Sequence, residues 1–311
     1  MEEGTPDPMS TTAQQDMFTT GDGTRLRVVE EGPEQAPVTV VFLHGWTLTR
    51  HTWDRAVARL AETAEVRPRT IRFDLRGHGE SDPAPRGTAT IRQCADDLAE
   101  LIDRRVPTGE VVLVGHSMGG MAIMALAEQH PALFAERVAG VALVATSAGD
   151  LAEPDLRLPK PVAALANRVE RAVRPHLAKA TGRRLARRSS WLRPGLRWLL
   201  FGSDPVRADI AATAEWVAAC NPANMAAYRE SLAEHDRLAA LRRLGSKPVV
   251  LLAGTADRLT PRRHAERIAA ALPEAKFLLY GGAGHMLPLE REPEVTRQIA
   301  ELVRLSARQA A

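Results

Sequence analysis

Residues 111–120 read Val-Val-Leu-Val-Gly-His-Ser-Met-Gly-Gly. An apolar, β-branched run feeds directly into Gly-x-Ser-x-Gly, and a helix-forming stretch, Met121–Glu128, follows at once. Strand, tight turn and helix form the context in which this pentapeptide presents a nucleophilic serine. The turn drives Ser117 into a strained backbone conformation, which a non-glycine residue accepts only where its surroundings impose it. Gly115 and Gly119 lack a Cβ, so strand and helix can close around the turn. The Ser117 hydroxyl then stands at the end of a strand, and the Met118 amide at the helix start can donate to a developing oxyanion. The plainer reading of the same residues is a glycine-rich loop with an ordinary serine.

A serine nucleophile needs a base, and the base needs an orienting acid. Residues 248–257, Pro-Val-Val-Leu-Leu-Ala-Gly-Thr-Ala-Asp, are a buried-type strand, a glycine and then Asp257. Residues 276–286, Lys-Phe-Leu-Leu-Tyr-Gly-Gly-Ala-Gly-His-Met, are a second apolar strand, a glycine-rich loop and then His285. The C-terminal ends of strands are where sites assemble in open α/β sheets. Asp150, beyond the strand at 138–144, is the rival acid. Asp257 is preferred because its loop directly precedes the histidine-bearing unit, although an aspartate there could also be a simple turn former. A second oxyanion donor is expected from an earlier loop. In Val38-Thr-Val-Val-Phe-Leu-His-Gly-Trp46 the strand ends at Leu43, His44 and Gly45 open the loop, and the Trp46 amide is the candidate. His44 reads as a loop-fixing hydrogen-bond residue rather than a base.

Taken together, His44-Gly-Trp46, Asp74-Leu-Arg-Gly-His-Gly-Glu-Ser81, Gly115-His-Ser-Met-Gly119, Gly254-Thr-Ala-Asp257 and Gly284-His285 resemble the α/β-hydrolase superfamily. The resemblance covers roughly residues 18–305. It lies nearest the serine esterase, monoacylglycerol-lipase and non-haem haloperoxidase-like branches. Epoxide hydrolases and haloalkane dehalogenases share the frame but carry an aspartate where this chain has Ser117. The resemblance implies a Ser117–Asp257–His285 triad, an oxyanion hole from the Trp46 and Met118 amides, and cleavage of a carboxylic ester of a lipophilic acid, with no cofactor or metal. In the Asp74–Ser81 loop it implies a structural role, with Gly77 and Gly79 turning the chain, Asp74 and Arg76 bonding it, and His78 outside the chemistry.

The elements that must position these groups follow the same frame. Strands are expected near 38–43, 70–75, 111–116, 138–144, 248–253 and 276–280, with helices between them such as Thr52–Ala61, Ile91–Arg105 and Pro261–Ala271. Such alternation means a mostly parallel central sheet covered by helices on both faces. Residues Phe18–Glu30, with a Gly-Asp-Gly turn, form an antiparallel hairpin at the sheet edge. The expected organisation is a disordered N-terminus at 1–16, a first core part at 17–149, a helical cap at 150–244 and a second core part at 245–311.

The cap is the second informative region. Residues 157–207 hold thirteen Lys or Arg and two acids, a net charge of +11, while the remaining 28 basic and 36 acidic residues carry −8. The formal total of +3 hides this division. Trp191, Leu192, Leu196, Trp198 and Phe201 follow the densest basic cluster. Cations beside Trp and Leu suit an anionic membrane or an acidic carrier as partner, and a basic run can equally be a solvated helix face. No nucleic acid is expected, because no recognition motif accompanies the charge. Trp191, Trp198, Phe201 and Trp216, with Met225 and Tyr228, are candidates for the acyl pocket.

The N-terminus lacks the apolar core of a secretory signal, no run of about eighteen apolar residues occurs, and two cysteines form no ligand spacing. A cytoplasmic protein, peripheral to a membrane at most, is the expectation. Other functions on the same frame stay open: a carbon–carbon bond hydrolase, a perhydrolase, a thioesterase on carrier-bound acyl groups, or a ligand-binding protein.

Overall fold

The computed structural model describes residues 13–152, 160–180 and 184–310. Its centre is an eight-stranded sheet of β1 (Gln14–Thr19), β2 (Arg25–Glu31), β3 (Val38–Leu43), β4 (Arg69–Phe73), β5 (Glu110–His116), β6 (Val138–Val144), β7 (Val249–Gly254) and β8 (Lys276–Tyr280). The spatial order is β1-β2-β4-β3-β5-β6-β7-β8. β1, β2 and β4 pair antiparallel, and the remaining neighbours pair parallel.

Helices α1 (Asp54–Thr63), α2 (Ile91–Arg105), α3 (Met118–Gln129) and α4 (Pro131–Arg137) belong to the first part of the chain. Between β6 and β7 lie α5 (Lys160–Ala178), α6 (Arg193–Leu200), α7 (Arg207–Ala219), α8 (Pro222–Ala233) and the short α9 (Leu241–Leu244). α10 (Arg262–Ala271), α11 (Leu287–Glu290) and α12 (Glu292–Ala310) complete it.

Two covered faces explain why the inner strands are apolar without interruption. Successive side chains of a strand point to opposite faces. Val38, Val40 and Phe42 pack with Leu60 of α1 and with Val295, Ile299 and Leu302 of α12. Val41 and Leu43 pack on the other side with Leu98 of α2, Met121 of α3 and Ile268 of α10. β3, β5, β6 and β7 are accordingly almost wholly buried, as expected for parallel strands between helix layers.

The edge hairpin begins earlier than its sequence suggests. Gln14, Gln15 and Asp16, expected in the disordered N-terminus, pair with Glu30, Val29 and Val28. Their polar side chains suit an edge strand, where one side is solvated. Residues 1–12 of that expected segment lie outside the described residues. The loop after β4 is held by buried charge. The Asp74 carboxylate accepts the Arg50 amide at 2.7 Å and the Glu80 amide at 2.9 Å, and pairs with the Arg50 guanidinium. Gly79 sits at φ 53°, and a Cβ there would collide with that carboxylate. Arg76, fully buried, pairs with Asp97. The loop is thus a structural clasp, and β4 ends at Phe73 because Asp74 has turned to serve it.

Candidate active site

β5 runs into α3 with one residue between them, Ser117. Its backbone sits at φ 52°, ψ −116°, a region costly for any residue with a side chain. The neighbours over-determine it. The Ser117 amide donates to the Val144 carbonyl at the end of β6, and its own carbonyl accepts the Thr146 hydroxyl at 2.7 Å and the Gly120 amide at 2.9 Å. The flanking glycines are required by close approach. A Cβ on Gly115 would lie 2.5 Å from the Gly119 carbonyl carbon, and one on Gly119 would lie 2.5 Å from the Leu43 carbonyl oxygen.

Asp257 and His285 stand beyond the ends of β7 and β8. His285 Nδ1–H donates to Asp257 Oδ2 at 2.8 Å. Asp257 Oδ1 accepts the Leu259 and Thr260 amides at 2.8 and 2.9 Å, and Oδ2 also accepts the Thr260 hydroxyl at 2.8 Å. Burial alone would push this carboxyl upward. The charge of His285 and the bonds from His285 and Thr260 outweigh burial and hold its pKa below the ordinary carboxylate value. Asp150 is exposed and adopts φ 65°, and the hydrogen bond and ion pair of His285 Nδ1 go to Asp257. The structure brings Asp257, not the rival, to the imidazole.

Ser117 and His285 line one cavity of about 200 Å³. No hydrogen bond joins the hydroxyl to the imidazole in this structure. The core contributes Gly45, Trp46, Leu48, Met121 and Met286 to its wall. Trp46, in the loop after β3, lines the pocket. A Cβ on Gly45 would meet Ser117 Cβ at 3.2 Å, which shows how closely this loop lies on the serine turn. Neither the Trp46 nor the Met118 amide has a backbone partner outside regular structure among the described residues.

Histidines hold the surrounding loops. His44 accepts the Leu75 amide through Nε2 and donates through Nδ1 to the Gly45 carbonyl, tying the β3 loop to the β4 loop. It is fully buried, and burial lowers its pKa to about 4, so it stays neutral. His116, next to Ser117, donates through Nε2 to the His285 carbonyl at 2.8 Å, and burial lowers its pKa to about 3. His116 thereby holds the backbone of His285, a role invisible in sequence. Thr260 is equally silent in sequence, although an aspartate at the head of a turn is a local hydrogen-bond signal.

The rest of the wall comes from the helices between β6 and β7. Leu196, Leu199 and Leu200 of α6, Val217 of α7, and Met225 and Leu232 of α8 face the cavity. Most of the aromatic pocket candidates are corrected. Trp191 is 80% exposed and Trp198 is 40% exposed, with the Arg258 guanidinium over its ring. Phe201 and Trp216 pack in a small apolar cluster with the wall residues Leu200 and Met286 without lining the cavity themselves, and Tyr228 is buried against Cys94 and the Arg76 carbonyl. Only Met225 of that set lines the cavity. The reason is the face of α6: at i, i+3 and i+4 its leucines point inward, so Trp198 points out. Arg229 also reaches the wall, but its guanidinium is engaged by Glu170 and by the Leu151 and Ala152 carbonyls.

α6 is fastened to the catalytic-side loops at its C-terminal end. The Leu200 carbonyl accepts the His285 amide at 2.8 Å, and the Glu290 carboxylate accepts both the Gly202 and Gly284 amides. Arg258, beside Asp257, donates to the Trp198 carbonyl at 2.8 Å. No group of three or more His, Cys, Asp or Glu able to hold a metal exists among the described residues.

A family model for the alpha/beta hydrolase fold matches residues 38–292. A pimeloyl-[acyl-carrier protein] methyl ester esterase of Nitrosomonas europaea is 29% identical over 259 residues, spanning 79% of this chain and 88% of that protein. A putative 2-succinyl-6-hydroxy-2,4-cyclohexadiene-1-carboxylate synthase of Bacillus subtilis is 37% identical over 134 residues, but the match spans only 42% of this chain and 44% of that protein. The solved structure of a thermophilic esterase from Thermogutta terrifontis is similar at a TM-score of 0.71 and 27% identity, covering 94% of this chain and all of that one.

Proposed function

The chain belongs to the α/β-hydrolase family and is an esterase-type hydrolase, and on that premise we propose that it cleaves carboxylic esters of lipophilic acids through an acyl-enzyme on Ser117. The observation that carries this reading is the convergence of Ser117 and the Asp257-bound His285 on one apolar cavity. His285 Nε2, opposite the nitrogen held by Asp257, takes the serine proton as Oγ attacks the carbonyl. Asp257 fixes the tautomer and stabilises the imidazolium that forms. The Trp46 and Met118 amides form the oxyanion hole, where one donor is worth about 2.7–4 kcal/mol. His285 then protonates the leaving alcohol and activates water to release the acid. Long catalytic hydrogen bonds are usual in unliganded enzymes and tighten with substrate.

The cavity of about 200 Å³ is smaller than the roughly 300–1,000 Å³ typical of drug-sized ligands, which favours short to medium acyl chains. The helices between β6 and β7 act as its cap in this reading. Their basic segment is the contact surface for an anionic membrane or an acidic carrier, and the enzyme works in the cytoplasm. The test is a panel of p-nitrophenyl esters of increasing acyl length, run beside peracetic acid formation and a vinylogous diketone. We expect short and medium esters to be hydrolysed and Ser117→Ala to lose turnover by about 10⁴-fold or more while staying folded. A folded alanine variant with full activity ends the proposal, and turnover of the diketone alone moves the reaction to carbon–carbon cleavage.

A further inference from the structure

α6 is a wall with two unlike faces. Leu196, Leu199 and Leu200 line the cavity, while Trp198 points away from it and Arg193 and Arg197 are exposed along the edge of the leucine face. A helix is about 10 Å across, so whatever touches the outer face lies within one helix diameter of the acyl site. The short turn Ser189–Trp191, one residue before α6, ends in Trp191, which is 80% exposed. Leaving so large an apolar surface in water is unfavourable, and it marks a place where something else is met. Among the described residues the exposed large apolar side chains are Val169, Val173, Trp191, Trp198 and Val206, and all of them fall between β6 and β7.

The charge on this stretch is equally one-sided. Arg184, Arg187, Arg188, Arg193, Arg197 and Arg207 are exposed and form no ion pair among the described residues. Arginines elsewhere on the molecule are repeatedly paired, as with Arg25, Arg59, Arg72 and Arg105. The main body, net negative in sequence, does not neutralise this segment. Arg157 and Arg183 of the basic run lie outside the described residues.

We propose that residues 184–207 dock the enzyme on anionic phospholipid bilayers, with Trp191 entering the headgroup layer and the surrounding arginines meeting lipid phosphates. Indole rings reside at the membrane–water boundary, and cations beside them add attraction to anionic lipid. A soluble acidic protein would satisfy the arginines but would need a recess shaped to Trp191. A bilayer accepts the ring and the scattered valines without such a fit. Docking this face sets the cavity wall against the source of lipophilic esters, so the inference deepens the esterase reading and rests on it for its purpose.

The experiment is co-sedimentation of the full chain with vesicles of phosphatidylcholine alone and of phosphatidylcholine mixed with phosphatidylglycerol, at low and raised salt. We expect binding to the anionic vesicles only, weakened by salt. Arg193→Ser weakens it about fivefold, the worth of one arginine at such a surface, and Trp191→Ser weakens it more. Both variants keep the wild-type melting temperature and hydrolyse a short, water-soluble ester normally without vesicles. Ser117→Ala enzyme binds vesicles like wild type, so a failure of the triad and a failure of docking are read separately. Equal sedimentation with neutral vesicles, no sedimentation with anionic ones at low salt, or indifference to both substitutions overturns the proposal. Retention of an acidic acyl carrier protein without vesicle binding overturns it in favour of a carrier surface.

Discussion

Asp257 accepts four hydrogen bonds through two oxygens, three of them from Leu259 and Thr260 and one from His285. A carboxylate held this way keeps its charge and its direction. Asp257→Asn preserves the shape but presents an amide that can also donate, so the imidazole takes the other tautomer. We expect kcat for a short ester to fall by about 10⁴-fold with little change in melting temperature, measured on the purified variant. An unchanged kcat would remove Asp257 from the chemistry. Its lowered pKa has a sign: the carboxylate's stabilising contacts are present above the unfolded value and are lost as pH falls through the folded one. Ser117, Asp257 and His285 were legible in sequence because each stands just past an apolar strand. His116 and Thr260 were not, because their contributions are bonds to a backbone carbonyl and a carboxylate that only the folded loops bring near.

At the scale of elements, the serine turn depends on backbone touching backbone. Gly119 on α3 lies so near the end of β3 that a methyl group would sit 2.5 Å from the Leu43 carbonyl oxygen. Backbone cannot yield as a flexible side chain can, and forced overpacking costs about 1–3 kcal/mol or more. Gly119→Ala should therefore lower the melting temperature by at least about 3 °C and abolish activity, read by thermal denaturation and ester turnover. The strands were readable almost residue by residue, since parallel strands between two helix layers are uninterrupted apolar runs. The hairpin start was missed because Gln14–Asp16 are polar and gain their strand only by pairing with β2. The pocket wall was misread for a different reason. Aromatic side chains are the strongest pocket signal in sequence, whereas the wall is built by leucines on the inner face of α6, a face defined only once the helix's position is known.

The whole molecule carries its titration in the core. His44 and His235 have pKa values lowered to about 4, and His78 and His116 to about 3, in each case chiefly by burial. Unfolding exposes these rings, whose ordinary pKa is about 6.5. Between that value and the folded ones, the unfolded chain binds protons that the native chain refuses, so stability is full above about pH 6.5 and declines as pH falls toward 4. Melting temperature measured across that window should drop steadily, and a flat profile would contradict four neutral buried histidines. Charge is divided as sharply as titration, with the basic excess confined to the segment between β6 and β7. That segment is nonetheless no detachable module. The Leu200 carbonyl holds the amide of His285, and the Gly202 and Gly284 amides share the carboxylate of Glu290. Chimaeras that graft a foreign lid onto this frame must retain the recipient's own residues 198–203, or the imidazole will lose its foothold along with the graft.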